Sequence, residues 1–321
     1  MTRRAPLLFA LLCLLPLTAP ASAQETRLFK DDLGRSVTVP AKPLRIVSLH
    51  DLDITIPLIE LGARPVASHG RTRLDGTHFL RSSAILTGVD FDNSDIKFIG
   101  TTSIDIEAVV AAKPDLIITE PSRNTPIEQL EKIAPTVSLD NRDGGAGELY
   151  GKIADLTGTQ AQLAILERRY RMQIAQLRSV VDTGAITVVA LQANKGKITV
   201  HHTQQSLGQV LRDAGFRFPA LVDAIPPGKR MDVSAERLPE LDADFIFDTY
   251  RSDQGGKPAD EIADMEKVMP GYCAFLKACR EGRYTILARE EAISNSYAAL
   301  SLMVSTIQSQ VSGRQPPLKR P

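Results

Sequence analysis

The chain has 321 residues, 43% of them hydrophobic, and its 38 basic residues balance 38 acidic ones. Such a balance gives no electrostatic case for binding nucleic acid or a general membrane surface. The length favours two domains over one, and the apolar fraction is ample for two packed cores.

The opening "MTRRAPLLFALLCLLPLTAPASAQETR" has a basic start (Arg3, Arg4), a short apolar run over 7–15 and an A-x-A site at 21–23. Residues 1–23 are therefore expected to be a secretory signal, too short in its apolar part to span a bilayer. Leu12 precedes Cys13 where a lipid-anchored precursor would carry a small residue, so a soluble exported protein is expected. Without Arg3 and Arg4 the chain keeps 36 basic and 38 acidic residues, a formal charge of −2.

"RIVSLH" reads as a strand running into a loop, and "ITIPLIELGARPVAS" as a helix, a stop at Gly62 and a second strand. "HGRTRLDGTHFLR" then places Arg71, Arg73, Arg81 and His78 on one loop, either lining a cleft or simply solvated. "SIDIEAVVAAKPDLIITEP" is helix, turn, strand, so residues 43–140 read as β-α-β-α-β-α-β with a mainly parallel sheet.

The apolar run Leu116, Ile117, Ile118 ends where Pro121 can no longer donate to a sheet. Thr125, Pro126 and Glu128 fit N-cap, first turn and capping box of a following helix. Ser122 and Arg123 therefore stand on a strand-to-helix loop, the edge where α/β sheets bind ligands.

From 159 to 181 the apolar positions Leu163, Leu166, Tyr170, Ile174, Leu177 and Val181 step by three and four, as one face of a long helix. "ITVVALQ" and "GKITVH" follow as a strand hairpin, and "SLGQVLRDAG" as a helix stopped at Gly215. "RLPELDADFIFDTYR" is helix, turn, strand; "DMEKVMPGYCAFLKACREGRYTIL" is helix then strand; "SNSYAALSLMVSTIQSQV" is a closing helix. Cys273 and Cys279 could bridge in an oxidising compartment, but six residues of unbroken helix would hold them about 9 Å apart, beyond disulfide reach. A bridge requires the helix to break, and both readings stay open.

One unit occurs twice. With Glu107 aligned to Glu236, Asp115 meets Asp244, and Leu116, Ile117 and Ile118 meet Phe245, Ile246 and Phe247. Arg123 and Arg251 then fall within one residue of each other. Two α/β lobes, each ending a strand in an arginine-bearing loop, are expected to face each other across the long helix. No G-x-S-x-G, H-E-x-x-H or Walker-type loop occurs, so no enzyme class is indicated.

These segments together resemble the periplasmic substrate-binding proteins of iron–siderophore ABC importers, in particular a ferric-citrate-like subgroup. "FKDDLGRSVTVPAKPLRIVSLH" is similar to the family's opening, "IDIEAVVAAKPDLIITEPSR" to its most recognisable segment, and "VHHTQQSLGQVLRDAGF" and "YRSDQ" to its second lobe. The likeness spans residues 29–311. It implies two α/β lobes with mainly parallel sheets joined by a single long helix, and a ligand cleft between them that closes only slightly. The expected organisation is an N-terminal lobe at 24–157, a linking helix at 158–182, a C-terminal lobe at 183–313 and a loose tail at 314–321.

The implied ligand is a ferric siderophore, citrate- or carboxylate-based, already fully coordinated, so the protein binds no metal directly and holds no permanent cofactor. Carboxylates call for arginines and small polar donors. Arg123 and Arg251 are the expected clamps, with Ser122 and Tyr250 as hydroxyl donors. Arg71, Arg73, Arg81 and His78 are further candidates, as are His202, Thr203 and Gln204, similar to a ligand-facing loop of the family; His50 is a weaker one. Haem or cobalamin is the alternative ligand, with Tyr250, His78 or His202 available as axial groups for haem. Glu107 and Glu236 are implied as one docking carboxylate per lobe for an inner-membrane ABC permease dimer with its ATPase, and the implied location is the periplasm.

Overall fold

The structure, a computed structural model, describes residues 25–140 and 145–313; the expected signal segment 1–23 and the tail 314–321 lie outside the described residues. An antiparallel hairpin of β1 (Thr26–Lys30) and β2 (Ser36–Pro40) precedes the first lobe. That lobe contains β3 (Ile46–Ser48), β4 (Ala67–Ser68), a small hairpin of β5 (Arg71–Thr72) and β6 (His78–Phe79), then β7 (Lys97–Phe98), β8 (Leu116–Thr119) and β9 (Thr136–Ser138). Its main sheet has the order β7-β4-β3-β8-β9 and is parallel throughout. The strands are short and apolar because helices and loops cover both faces.

Four strands are expected here from sequence, and the sheet has five. Edge strand β7 is two residues long, too short to leave an alternation pattern. Between β4 and β7 the chain makes the β5–β6 hairpin and one turn of helix at Ser83–Thr87 instead of a full crossover helix.

The helix Gln160–Val180 spans roughly 32 Å. Thr159 and Val181 flank it, and Leu163, Leu166, Tyr170, Ile174 and Leu177 are all buried along one side. The second lobe carries β10 (Val188–Asn194), β11 (Lys197–His201), β12 (Arg230–Val233), β13 (Phe245–Tyr250) and β14 (Tyr284–Ala288), in the order β12-β11-β10-β13-β14. β10, β13 and β14 run parallel; β11 and β12 fold back antiparallel, the first as the hairpin "ITVVALQ…GKITVH". The internal repeat is visible in this topology. β8 and β13 both take the fourth place of five, and the aligned residues Leu116 and Phe245 each begin the strand.

Two local expectations change. Pro126, with ψ at 134°, is itself the N-cap of the single turn Ile127–Leu130, so Thr125 does not cap and the capping box is absent. Glu236 lies on a 3-10 segment, Ala235–Leu241, where Pro239 removes an α-helical donor. The cysteine question is decided by a break. A 3-10 turn at Tyr272–Ala274 ends before the helical turn Lys277–Arg280 begins, which brings the two Cα atoms to 5.1 Å, and Cys273 and Cys279 are bridged.

Candidate ligand cleft between the lobes

The carboxyl ends of β3, β4 and β8 in the first lobe and of β13 and β14 in the second converge on one polar floor. On the first-lobe side Gly70 fits the chain between β4 and β5. A Cβ there would lie 2.9 Å from the Phe79 carbonyl oxygen and 2.5 Å from the Phe91 ring, so only glycine passes. The hairpin residues Thr72–Asp75 and Phe79 then face Ser252–Gly255 of the second lobe across a cleft of about 650 Å³.

Beneath it lies a chain of charges. Asp51, fully buried after β3, holds Arg81 in a fork: Nη2 donates to Oδ1 at 2.7 Å and Nε to Oδ2 at 2.9 Å. Burial alone would raise the Asp51 carboxyl, but Arg81 beside it holds it well below the usual range. Burial likewise works against the Arg81 charge, and Asp51 more than offsets it. The neighbouring imidazoles of His50 and His69 are pushed down by burial, so both are neutral near pH 7. His69 Nδ1 sits 3.3 Å from Asp51 Oδ1 and its Nε2 3.1 Å from Arg123 Nη1, which ties Arg123 into the same floor.

Arg81 also reaches across the lobes. Its Nη1 lies 3.4 Å from Oε2 of Glu290, a residue 1% exposed on the helical turn Arg289–Ile293 of the second lobe. Ser82 donates to Glu291 Oε1 at 2.7 Å, and the Asn295 amide to Asp53 Oδ1 at 3.0 Å. The cleft floor is therefore also the seam between the lobes.

The expected site residues divide between this floor and elsewhere. Arg71, Arg81, Arg123 and Arg251 act on one another electrostatically, so four of them share it. Arg123 Nε lies 3.2 Å from Glu120, whose carboxylate also accepts from the Ser122 hydroxyl at 2.6 Å. Arg251, beside Tyr250 at the end of β13, forks onto Asp253 at 3.0 and 3.1 Å. Arg81, Arg123 and Arg251 are thus already paired within the chain.

Arg71 differs. Among the described residues it makes no direct ion pair, and its Nε is shut off from solvent without a hydrogen-bond partner. Burial lowers its pKa, with the Arg81 charge adding to the effect. Arg73, exposed on the cleft wall, stacks over the Phe79 ring at 4.2 Å. His78 faces outward, its ring 3.7 Å from that of Phe98.

His202, Thr203 and Gln204 lie apart from this floor. His202 and Thr203 border a smaller pocket of about 270 Å³ with Gln209 and Arg212, where His202 Nδ1 is 2.9 Å from Thr203 Oγ1. Gln204 is buried behind them. Glu107 and Glu236 are both exposed, each in the first turn of its segment, one on each lobe.

Sequence reading passed over Asp51, His69, Arg289 and Glu290 as site residues. His69 had a signal, since it stands just past the end of a strand, as His50 does. Glu290 had none, because "AREEAIS" reads as an ordinary charged turn.

A two-lobed α/β chain with an arginine-rich cleft at the carboxyl ends of its strands is a binding protein by architecture. The chain belongs to the periplasmic binding protein family, whose model matches residues 82–270. Membership makes it the ligand-binding component of a transport system and not an enzyme. Among curated proteins it is 28% identical to the probable siderophore-binding lipoprotein YfiY of Bacillus subtilis over 72% of this chain and 71% of that one. It is 26% identical to the Fe(3+)-citrate-binding protein YfmC of the same organism, over 71% and 69%. Among solved structures, SirA of Staphylococcus aureus complexed with staphyloferrin B superposes with a TM-score of 0.72 at 21% identity, covering 89% of this chain and 98% of that one. No helix among the described residues is long and apolar enough to cross a membrane.

Proposed function

We propose that the protein is an exported receptor that binds a citrate- or carboxylate-based ferric siderophore and hands it to an ABC permease. The observation that carries this reading is Arg71: a half-buried arginine next to the cleft residues Thr72 and Arg73, its Nε dry and unpartnered, with no ion pair among the described residues. Such a cation is costly unless an anion completes it, and a planar carboxylate matches its fork. Arg123, whose Nε is also shut off from solvent without a hydrogen bond, and Arg251 flank the same floor, each facing a carboxylate of the chain. Tyr250 and Ser122 stand beside them as hydroxyls. The names of similar proteins support an iron chelate over haem or cobalamin: they include citrate, hydroxamate and enterobactin binders.

Glu107 and Glu236, exposed and one per lobe, are the docking carboxylates for the permease in this reading. Residues 1–23 serve as a cleavable signal, the lobes extend over 24–157 and 183–313, and the helix between them is the linker. The receptor acts as a monomer in the periplasm.

The test is calorimetric titration of the mature protein with ferric citrate, ferric schizokinen, ferrichrome and haemin, repeated with Arg71→Ala and Arg123→Ala. Binding of citrate-based chelates, weakened about 30-fold or more by Arg71→Ala, is the expected result; this equals about 2 kcal/mol. Binding of ferrichrome or haemin alone, indifferent to both substitutions, refutes the reading.

A further inference from the structure

The cleft floor already contains carboxylates where a ligand's would go. Arg251 forks onto Asp253, Arg123 leans on Glu120, and Arg81 is committed to Asp51. Glu290 meets several arginines at once: its carboxylate lies 3.0 Å from Arg289, 3.4 Å from Arg81 and 3.7 Å from Arg251. One buried carboxylate thus touches three arginines from both lobes. It cannot easily withdraw, because the adjacent Glu291 is fastened to Ser82 and the following segment to Asp53. Arg71 alone among the floor arginines has no such partner.

From this arrangement, and resting on the function proposed above, we infer that Glu290 is a built-in counter-anion that sets the charge selectivity of the cleft. The floor takes one ligand carboxylate, on Arg71, and discriminates against chelates that carry several. A second or third ligand carboxylate would approach arginines that already face carboxylates of the chain: Arg81 faces Asp51, Arg123 faces Glu120 and Arg251 faces Asp253. It would also stand close to Glu290 and Asp253 in a pocket where like charges are poorly screened. Electrostatic mismatch of this kind is a standard source of specificity, because it penalises the wrong ligand without strengthening the right one.

Two citrate-based dihydroxamate chelates test this directly. Ferric schizokinen and ferric aerobactin share their iron-binding groups, and aerobactin bears two additional carboxylates. Calorimetric titration of the mature wild-type protein is expected to favour schizokinen by about tenfold or more. Glu290→Gln is expected to narrow that ratio to about threefold or less, mainly through tighter aerobactin binding. Asp253→Asn, on a less buried loop, should move the ratio in the same direction and serves where Glu290→Gln fails to fold. A ratio of affinities does not depend on the active fraction of either preparation.

Wild-type protein that binds aerobactin as well as schizokinen overturns the inference, as do folded variants that leave the ratio unchanged. The reading of a carboxylate-bearing ligand fails separately, if neither chelate binds and ferrichrome does.

Discussion

Arg81→Met separates a structural arginine from a ligand-binding one. Its guanidinium makes three short contacts to the Asp51 carboxylate, between 2.7 and 3.1 Å, and its side chain is 9% exposed. Methionine fills much the same volume and leaves Asp51 buried, with His69 as its closest remaining partner. Breaking a buried pair from one side costs about 3–5 kcal/mol, a large part of the 5–15 kcal/mol typical of a folded domain. With a urea slope of about 3 kcal/mol/M, the unfolding midpoint should fall by about 1–1.7 M. The loss should depend on pH. In the native protein burial keeps His50 and His69 below their ordinary values, so the unfolded chain takes up protons that the folded one refuses. Wild-type stability therefore falls as pH drops through about 6.5, towards the lowered native values. Without Arg81, an unpaired Asp51 stands 3.3 Å from His69 and draws a proton onto it. The penalty of Arg81→Met should then be smaller at about pH 5.5 than at about pH 8. The double variant Asp51→Asn/Arg81→Met should lose less than the two single losses summed. Circular dichroism in urea reads all of this. A loss below about 1 kcal/mol for Arg81→Met, or one independent of pH, refutes the buried-pair account.

Further outcomes follow from other parts of the molecule. Exported protein should show no free thiol, and Cys273→Ser/Cys279→Ser should lose about 2 kcal/mol for so short a loop, measured by urea unfolding. Asp248, buried beside Glu261 and hydrogen-bonded by Tyr284, is pushed well up by burial and by the Glu261 charge. Its folded form holds a proton that the unfolded form releases, so stability should fall as pH rises above the ordinary aspartate range towards the raised native value; Asp248→Asn should flatten that loss in a pH series of thermal melts. Glu107→Arg/Glu236→Arg should leave calorimetric ligand affinity within about twofold of wild type while abolishing uptake of labelled iron in cells carrying the cognate permease.

The fold was legible wherever one element produced a pattern longer than its neighbours' noise. The linking helix shows six apolar positions at steps of three and four, and all six are buried, Val181 just past its end. The offset of 129 found the two equivalent strands because Leu116–Ile118 and Phe245–Phe247 each lie wholly inside a sheet. β7 and β12 went unread: the first is two residues long, and the second, "RMDV", is exposed at alternate residues on a sheet edge. The site was legible only as residue types. Arginines at Arg71, Arg123 and Arg251 could be assigned to loops, but their partners could not. Glu120 is near in sequence to Arg123, whereas Arg81 and Glu290 are 209 residues apart and meet only because the lobes pack together. Which arginine remains uncompensated is a property of that packing, and it changes the leading candidate from Arg123 and Arg251 to Arg71.

The packing that pairs the charges also limits how far the cleft can open. One apolar cluster runs without interruption from Leu116 and Val137 of the first sheet, past the buried face of the linking helix, to Val188 and Phe247 of the second. Separating the lobes by a wide hinge would expose part of that cluster to water at about 25 cal/mol per Å². It would also break the Ser82–Glu291 and Asn295–Asp53 hydrogen bonds and strand Arg81 between two acids. A clamp that shuts around its ligand needs an open state of nearly equal energy, and these contacts oppose one. The floor must therefore recognise its ligand largely preformed. A preformed floor cannot rearrange to neutralise an arbitrary charge, which is why the resident carboxylates beside Arg71 matter to selectivity. What they exclude is settled before the ligand arrives, by the same buried pairs that hold the lobes in register.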